Sequence, residues 1–231
     1  MITAVLTIDD ISSDNTISIV DYLNKKGIQA IMFAVGKYVE ENPDPAIYAI
    51  QRGMIVGNHS FSHPAFSELS YEEGVREIER CEEQLDILYR KAGVERKYRP
   101  FRFPYGYKGS NNKDRLQEYL RNHEFTKVSD KRITYPWWKE SGLDKDIDTL
   151  WTFDFAEYNI RPESEFTLDD VWKKVYDKSP ESGGVLLEDG SNHILLLHAH
   201  DETEELVPEY YKLFVEKLID EGVTFVKPEF M

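Results

Sequence analysis

The chain has 231 residues, of which 41% are hydrophobic, and its formal net charge is −15. A surface this acidic repels phosphate backbones, so we expect no nucleic-acid partner. No apolar run approaches the roughly 18 residues that a membrane span requires, so we expect no membrane span either. The length suits one large domain or two small ones. Because no linker, repeat or low-complexity tract interrupts the sequence, we expect a single domain over residues 1–231.

The amino terminus, MITAVLTIDD, lacks the basic region of a secretory signal and carries acids where a cleavage site would lie. For the chain as written this predicts a cytoplasmic location. An extracellular or cell-wall location is the alternative if the natural chain begins earlier. The sequence gives no indication of the oligomeric state.

Short apolar runs alternate with helical patterns along the chain. The predicted strands are 2–8, 28–35, 54–59, 101–103, 125–128, 149–153, 193–197 and 223–226. The predicted helices are 14–26, 43–53, 70–92, 112–122, 167–178 and 205–221. About eight strands, most of them followed by a helix, favour a parallel β/α barrel, with an open doubly wound sheet as the alternative. Neither a G-x-G-x-x-G pattern nor a P-loop is present, so no nucleotide site is indicated.

Polar side chains follow the carboxyl ends of several predicted strands. In a β/α barrel the active site lies at that face, so separate segments would bring these groups together. The candidates are Asp9, Asp10, His59, His63, Arg102, Tyr105, Asp154 and His198.

The run H-S-F-S-H carries His59 and His63 four residues apart. On one face of a helical turn, both imidazoles can reach one metal ion. Two histidines and one carboxylate leave coordination positions open, as a catalytic site requires. Of the adjacent acids Asp9 and Asp10, one can bind the ion while the other accepts a proton from water. The structural alternative for this acid pair is helix capping or a loop turn.

Three further residues fit supporting roles in such a site. Arg102 can hold Asp9 ionised and oriented through a paired hydrogen bond, although an arginine is more often a surface cation. The turn fixed by Pro104 and Gly106 can aim the backbone N–H of Tyr105 at a developing oxyanion. His198 ends an aliphatic run and is a candidate general acid, with a satisfied core histidine as the alternative.

These motifs, in this order, resemble those of the polysaccharide deacetylases of carbohydrate esterase family 4, the NodB homology group. T-I-D-D resembles the family's T-F-D-D motif, and H-S-F-S-H-P matches its metal motif H-[ST]-x-x-H-P. R-F-P-Y-G matches R-x-P-[YW]-G, and I-L-L-L-H resembles the last motif. The resemblance covers nearly the whole chain and implies one catalytic domain with a distorted barrel of seven or eight strands.

The resemblance also implies roles for individual residues. Asp9 would be the catalytic base and His198 the general acid, and the metal ligands would be Asp10, His59 and His63. The implied reaction is hydrolysis of an N-acetyl or O-acetyl group on a carbohydrate such as peptidoglycan or a chitin-like oligosaccharide. Zinc is the predicted ion because imidazole and carboxylate ligands suit it, with Co²⁺, Ni²⁺ or Fe²⁺ as substitutes.

Two assignments stay open within the resemblance. The family's last motif usually continues with aspartate, whereas Ala199 follows here and His200 comes next, so either histidine can be the acid. The fourth motif, W-T-F-D-F-A-E-Y, offers Asp154 as the carboxylate that supports the acid and has Glu157 in place of a second aspartate. Asp130 is the alternative to Asp154 as the carboxylate that supports the general acid.

The insertion before Asp154 contains Pro136, Trp137 and Trp138 and is either a packed flap or an aromatic platform for a sugar ring. Other functions also fit parts of the pattern. Two histidines and a carboxylate describe a non-haem iron oxygenase too. The same fold can hydrolyse a non-sugar amide, or bind carbohydrate without catalysis.

Overall fold

A parallel β-sheet forms the centre of the computed structural model, which describes residues 1–231. It has six strands: β1 (Ile2–Ile11), β2 (Ile31–Ala34), β3 (Ile55–Asn58), β4 (Phe153–Asp154), β5 (Asn192–His198) and β6 (Val223–Phe225). The strand order is β3-β2-β1-β5-β4, and β6 pairs with the beginning of β1. Because every strand pair is parallel, all carboxyl ends lie at the same edge of the sheet.

Helices connect the strands and cover the sheet. They are α1 (Thr16–Lys26), α2 (Gly36–Glu41), α3 (Asp44–Gln51), α4 (Tyr71–Ala92), α5 (Lys113–Asn122), α6 (Pro136–Glu140), α7 (Leu168–Val175), α8 (Asp201–Leu206) and α9 (Tyr210–Asp220). The longest helix, α4, begins with a capping box, in which the side chains of Ser70 and Glu73 each bind the backbone N–H of the other. No helix of the structure is both long enough and apolar enough to cross a membrane.

The predicted α/β class with a parallel sheet is confirmed, but two expected strands are reduced to single bridges. Residues 101–103 pair with β3 only through Phe101 and Asn58, and residues 125–128 pair only through Val128 and Phe230. Pro100 and Pro104 bound the first of these runs, and neither has an N–H to donate to a neighbouring strand.

The predicted helix 205–221 is two helices. Pro208 interrupts it, because a residue before proline avoids the helical conformation and Val207 accordingly has a ψ of 83°. Glu209 then adopts a left-handed conformation before α9 begins. The proline stands in the sequence, so this boundary was predictable.

The main core lies between the sheet and its helices and contains 39 buried residues. The register of the central strands brings polar residues to the carboxyl edge together. Asp9 lies beside His198 across the β1–β5 pair. On the other side, Asn58 ends β3 next to Ala34 of β2, so that His59 emerges at the same edge.

Leu195 tests how far this core depends on the central strand β5, because its side chain is fully buried. We expect Leu195→Ala to lower the free energy of unfolding by about 2–5 kcal/mol, through lost burial and the cavity left behind. Urea titration followed by circular dichroism measures the change. Leu206→Ala is the control, since Leu206 is 43% exposed. An equal loss in both variants would contradict this account of the core.

Candidate active site

A cavity of about 440 Å³ opens at the carboxyl edge of the sheet. Of the residues predicted for the site, those that line it are Asp9, Asp10, His59, His63, Tyr105, Asp154 and His198. Arg102 lies behind the lining and is fully buried. The remaining lining residues are Tyr38, Tyr107, Trp151, Tyr158, Leu196 and His200. The structure therefore brings the predicted residues to one place.

An irregularity in β1 turns both adjacent carboxylates towards the same histidine. In a regular strand successive side chains point to opposite faces. The pairing of β1 with β2 shifts register between Ile8 and Ile11, and Asp10 has a left-handed φ of 64°. As a result, Asp9 Oδ2 lies 3.3 Å and Asp10 Oδ1 lies 3.7 Å from His59 Nε2. Aspartate tolerates this backbone conformation better than most residues.

The two histidines meet through a strained loop and not through the helical turn that their spacing suggested. Residues 59–65 form no helix, and Ser60 and His63 have positive φ angles of 65° and 59°. The imidazole rings of His59 and His63 are 4.9 Å apart between centroids. The expectation of two histidines that can share one ion holds, but the left-handed residues of the loop produce it.

Asp10, His59 and His63 fit a metal ion. Their ligand atoms all lie within 4.8 Å of one another. Asp10 Oδ1 is buried without a hydrogen-bond partner and lies 3.5 Å from His63 Nε2. His59 Nδ1 lies 2.9 Å from the carbonyl oxygen of Arg102 and donates to it, which leaves the lone pair of Nε2 facing the carboxylates of Asp9 and Asp10. A buried oxygen without a partner and two imidazole nitrogens form the donor set of a divalent-ion site.

The charges of this group are consistent with metal binding. Burial, followed by the neighbouring His59, lowers the pKa of His63 to about 4, so its ring is neutral near pH 7. Burial raises the pKa of Asp10, but the hydrogen bond from His200 and the charges of nearby histidines outweigh this effect. The net result is a pKa well below the usual range of an aspartate. Neutral imidazole and ionised carboxylate are the forms that bind metals.

Arg102 holds Asp9 in a buried ion pair. Arg102 Nη1 donates to Asp9 Oδ1 at 2.7 Å and to Thr7 Oγ1 at 2.8 Å, and Nε donates to the carbonyl oxygen of Thr149 at 2.8 Å. The guanidinium also lies over the ring of Phe33, 4.5 Å from its centroid. The predicted pair is present, but it is a single hydrogen bond and not a paired one: Nε donates to Thr149, and Nη2 is buried without a partner.

His198 is held by Glu157 and not by Asp154. Glu157 Oε1 lies 3.0 Å from His198 Nδ1 and also accepts the backbone N–H of His198 at 2.6 Å. Although burial lowers the pKa of His198, the carboxylate of Glu157 raises it, and the net value is about 9. His198 therefore carries a proton near pH 7, as a general acid must. The sequence placed Glu157 in the fourth motif but gave it no role.

His200 is the alternative candidate for the general acid, but both of its ring nitrogens are engaged in hydrogen bonds. Its Nε2 lies 2.7 Å from Asp10 Oδ2, and its Nδ1 lies 3.2 Å from Arg161 Nη2. Because neither nitrogen is free to reach a substrate, the geometry favours His198 as the acid.

Asp154 lines the cavity, whereas its rival Asp130 does not. Asp154 accepts hydrogen bonds from the backbone N–H of Ala156 at 2.7 Å and from Tyr158 Oη at 3.3 Å. Burial and the nearby Glu157 carboxylate raise its pKa. Asp130 instead accepts from the indole N–H of Trp138 at 2.8 Å, outside the cavity.

The aromatic insertion packs against the protein and does not line the cavity. Trp138 is buried with Ile133 and Ile194, and Trp137 stacks on Tyr135 with 5.7 Å between ring centroids. The interpretation as a packed flap therefore fits, and the sugar-platform interpretation does not. Aromatic rings do line the cavity, from other segments: Tyr38, Tyr105, Tyr107, Trp151 and Tyr158. Tyr105 has a left-handed φ of 56°, and its hydroxyl lies 3.2 Å from His63 Nδ1.

The chain belongs to the polysaccharide deacetylase family, because the model of that family matches residues 2–128, more than half of the chain. It is similar to a peptidoglycan-N-acetylmuramic acid deacetylase of Bacillus subtilis, with 36% identity over 115 residues. The match covers 48% of this chain and 23% of that protein. The predicted family resemblance is confirmed, and membership of a deacetylase family argues against the iron-oxygenase alternative.

Solved structures confirm the fold. A family 4 carbohydrate esterase from Streptomyces lividans, in complex with acetate, has a TM-score of 0.62 at 21% identity, covering 97% of this chain and 92% of that one. A carbohydrate esterase family 4 pseudoenzyme from Bacillus anthracis has a TM-score of 0.64 at 20% identity, and the match covers 97% of this chain and 63% of that one. At these identities the likeness supports the expected NodB-type barrel and nothing about activity.

Removal of Arg102 should reveal the cost of the buried Asp9 charge. We expect Arg102→Met to lower the free energy of unfolding by about 3–5 kcal/mol, because it leaves a buried carboxylate without its cation. Urea titration near pH 7 measures the loss. Arg115→Met is the matched control, since the Arg115 side chain is 58% exposed and lies 3.8 Å from Glu72. A loss below about 1 kcal/mol for Arg102→Met would show that the pair is not structurally important.

Proposed function

We propose that this protein is a metal-dependent deacetylase that hydrolyses the acetyl amide of an N-acetylated carbohydrate. The observation that carries the proposal is the unpartnered, buried Asp10 Oδ1, which lies 3.5 Å from His63 Nε2 and 3.7 Å from His59 Nε2. A candidate base, Asp9, and a candidate acid, His198, line the same cavity. A metal site with a base and an acid beside it suits hydrolysis of an unactivated amide.

The metal ligands in this proposal are Asp10, His59 and His63. We propose Zn²⁺, because one carboxylate and two imidazoles suit it and leave coordination positions open, while Co²⁺, Ni²⁺ or Fe²⁺ can substitute. When bound, the ion supplies Lewis-acid polarisation of the acetyl carbonyl and lowers the pKa of a water molecule.

The protein's own residues perform the proton transfers in this proposal. Asp9 accepts the proton of the attacking water, and Arg102 keeps that carboxylate ionised and oriented. The backbone N–H of Tyr105 donates to the oxygen on which negative charge develops. His198 donates its proton to the departing amine, and Glu157 holds its ring through Nδ1 so that Nε2 is directed at the substrate. Asp154, beside Glu157, adds negative charge near the acid.

A carbohydrate substrate is supported by the tyrosine and tryptophan rings that line the cavity, since sugar rings pack on aromatic faces. The name of the Bacillus subtilis relative points to peptidoglycan. Because the match covers 23% of that relative, its substrate comes to this chain only as part of the proposal. Chitin-like oligosaccharides, O-acetyl esters and small non-sugar amides are the alternatives.

Acetate release tests the function directly. The zinc-loaded protein would be incubated with peptidoglycan, chitin oligomers, acetylated xylan and a small N-acetyl amide, each at equal acetyl content. We expect release from an N-acetylated carbohydrate to be fastest, and Asp9→Asn is the control for contaminating activity. Release from none of the four would reject the proposal, and release from the small amide alone would replace the substrate class.

Substitution of the two adjacent aspartates should have different effects on metal binding and turnover. Asp9→Asn keeps its shape but cannot accept a proton, so we expect metal to remain bound while turnover falls about 10²–10⁴-fold. Asp10→Asn replaces an anionic ligand by a neutral amide, so we expect metal affinity to fall first and excess zinc to restore part of the turnover. Measuring turnover and bound zinc against added zinc distinguishes the two. Rescue of Asp9→Asn alone would reverse the assigned roles.

Glu157 should set the alkaline side of the pH profile. Because its carboxylate raises the pKa of His198, Glu157→Gln lowers that pKa, and the acid form is lost at lower pH. We therefore expect the alkaline limb of kcat/KM to move to lower pH. Glu118→Gln, on the exposed face of α5, is the matched control. An unmoved limb in Glu157→Gln would mean that His198 is not the group that titrates.

A further inference from the structure

The two oxygens of Asp10 have different surroundings. Oδ2 lies 2.7 Å from Nε2 of His200, a residue 190 positions away in sequence. Oδ1 is buried without a partner and faces the nitrogens of His59 and His63. One oxygen is therefore held by the protein, and the other is free to bind a metal.

The direction of the hydrogen bond between His200 and Asp10 is fixed by Arg161. Arg161 Nη2 lies 3.2 Å from His200 Nδ1. A guanidinium can only donate, so Nδ1 must accept and cannot carry a hydrogen. A neutral His200 then has its hydrogen on Nε2, where it donates to Asp10 Oδ2. With one nitrogen accepting and the other donating, His200 has no lone pair left for a metal ion.

Arg161 is itself held in place by several contacts. Its Nη1 donates to the backbone carbonyl oxygen of Ile160 at 2.8 Å and to the buried Thr203 Oγ1 at 2.9 Å. Its Nε lies 2.8 Å from the carboxylate of Glu202. These contacts join the loop after β4 to the start of α8, so the guanidinium reaches His200 from a defined direction.

We propose that Arg161 and His200 are positioning residues that hold Asp10 so that Oδ1 alone is presented to the metal ion. Arg161 fixes the tautomer of His200, and His200 fixes the carboxylate. This inference rests on the metal site proposed above and adds to it a chain of hydrogen bonds behind the ligand. Partners of this kind orient a ligand and change metal affinity, typically by about 10- to 100-fold when removed.

The tautomer of His200 can be measured without metal. Long-range ¹H–¹⁵N spectra of the metal-free protein distinguish protonation at Nδ1 from protonation at Nε2. We expect His200 to carry its hydrogen on Nε2 in the native chain and to lose this single tautomer in Arg161→Met. A hydrogen on Nδ1 in the native chain, or an unchanged spectrum in Arg161→Met, would overturn the proposal.

Zinc affinity, measured by competition with a chromophoric chelator, gives the second readout. We expect His200→Ala to weaken binding about 10- to 100-fold and Arg161→Met to weaken it about tenfold. His200→Gln should recover most of the loss, because the glutamine amide can still donate to Asp10 Oδ2. Arg132→Met is the matched control, since the Arg132 side chain is 59% exposed and lies 3.4 Å from Glu229.

The outcomes separate this inference from the proposed function. Native affinity in Arg161→Met would overturn the positioning role while the metal site stands. Binding as weak in His200→Gln as in His200→Ala would show that a hydrogen-bond donor to Asp10 Oδ2 does not support the site, and it would also overturn the inference. His63→Ala tests the site itself, because full zinc affinity in that variant, or none in the native chain, would reject the proposed metal site and this inference with it. Circular dichroism of each variant confirms that it is folded.

Discussion

The burial of two adjacent carboxylates, Asp9 and Asp10, is the constraint on which the rest of the site depends. Removing an ionised carboxylate from water costs several kcal/mol unless charges and hydrogen bonds compensate. Arg102 supplies that compensation for Asp9, and His200 supplies part of it for Asp10. The remaining oxygen of Asp10 is buried without a hydrogen-bond partner in the protein, and this is the observation on which the proposed metal site rests.

Several residues around the cavity also have an unusual backbone conformation. Non-glycine residues with positive φ recur around the cavity, namely Asp10, Ser60, His63, Tyr105 and Ala156. Each such conformation costs on the order of 1–3 kcal/mol and persists only where the surroundings determine it. Local hydrogen bonds do so here: Ser60 N–H donates to Asn58 Oδ1 at 2.8 Å, and Ala156 N–H donates to Asp154 Oδ1 at 2.7 Å. The core and these bonds together hold the functional groups in strained positions.

The sequence predicts where the site lies better than how it is built. A buried strand reads as an apolar run, so the polar residues that end β1, β3 and β5 can be assigned to one edge of the sheet from the sequence alone. The bulge at Asp10 could not be predicted, because its cause is the pairing with a neighbouring strand. Glu157 contacts His198, which is 41 residues away along the chain, and His200 contacts Asp10, which is 190 residues away. A single sequence gives no signal of contacts at such separations. The prediction of strands at residues 101–103 and 125–128 was wrong, because a local apolar pattern cannot distinguish a strand in a ladder from a residue in a single bridge.

Fold similarity does not decide whether this chain is catalytic. A solved pseudoenzyme of carbohydrate esterase family 4 superposes on it about as well as a solved esterase does. The distinction must therefore come from side chains. Replacing a buried ion pair by apolar residues of similar volume is often neutral or stabilising. Carbohydrate binding alone requires neither the buried Asp9–Arg102 pair nor the contact between Glu157 and His198. The proton transfers proposed above account for both features.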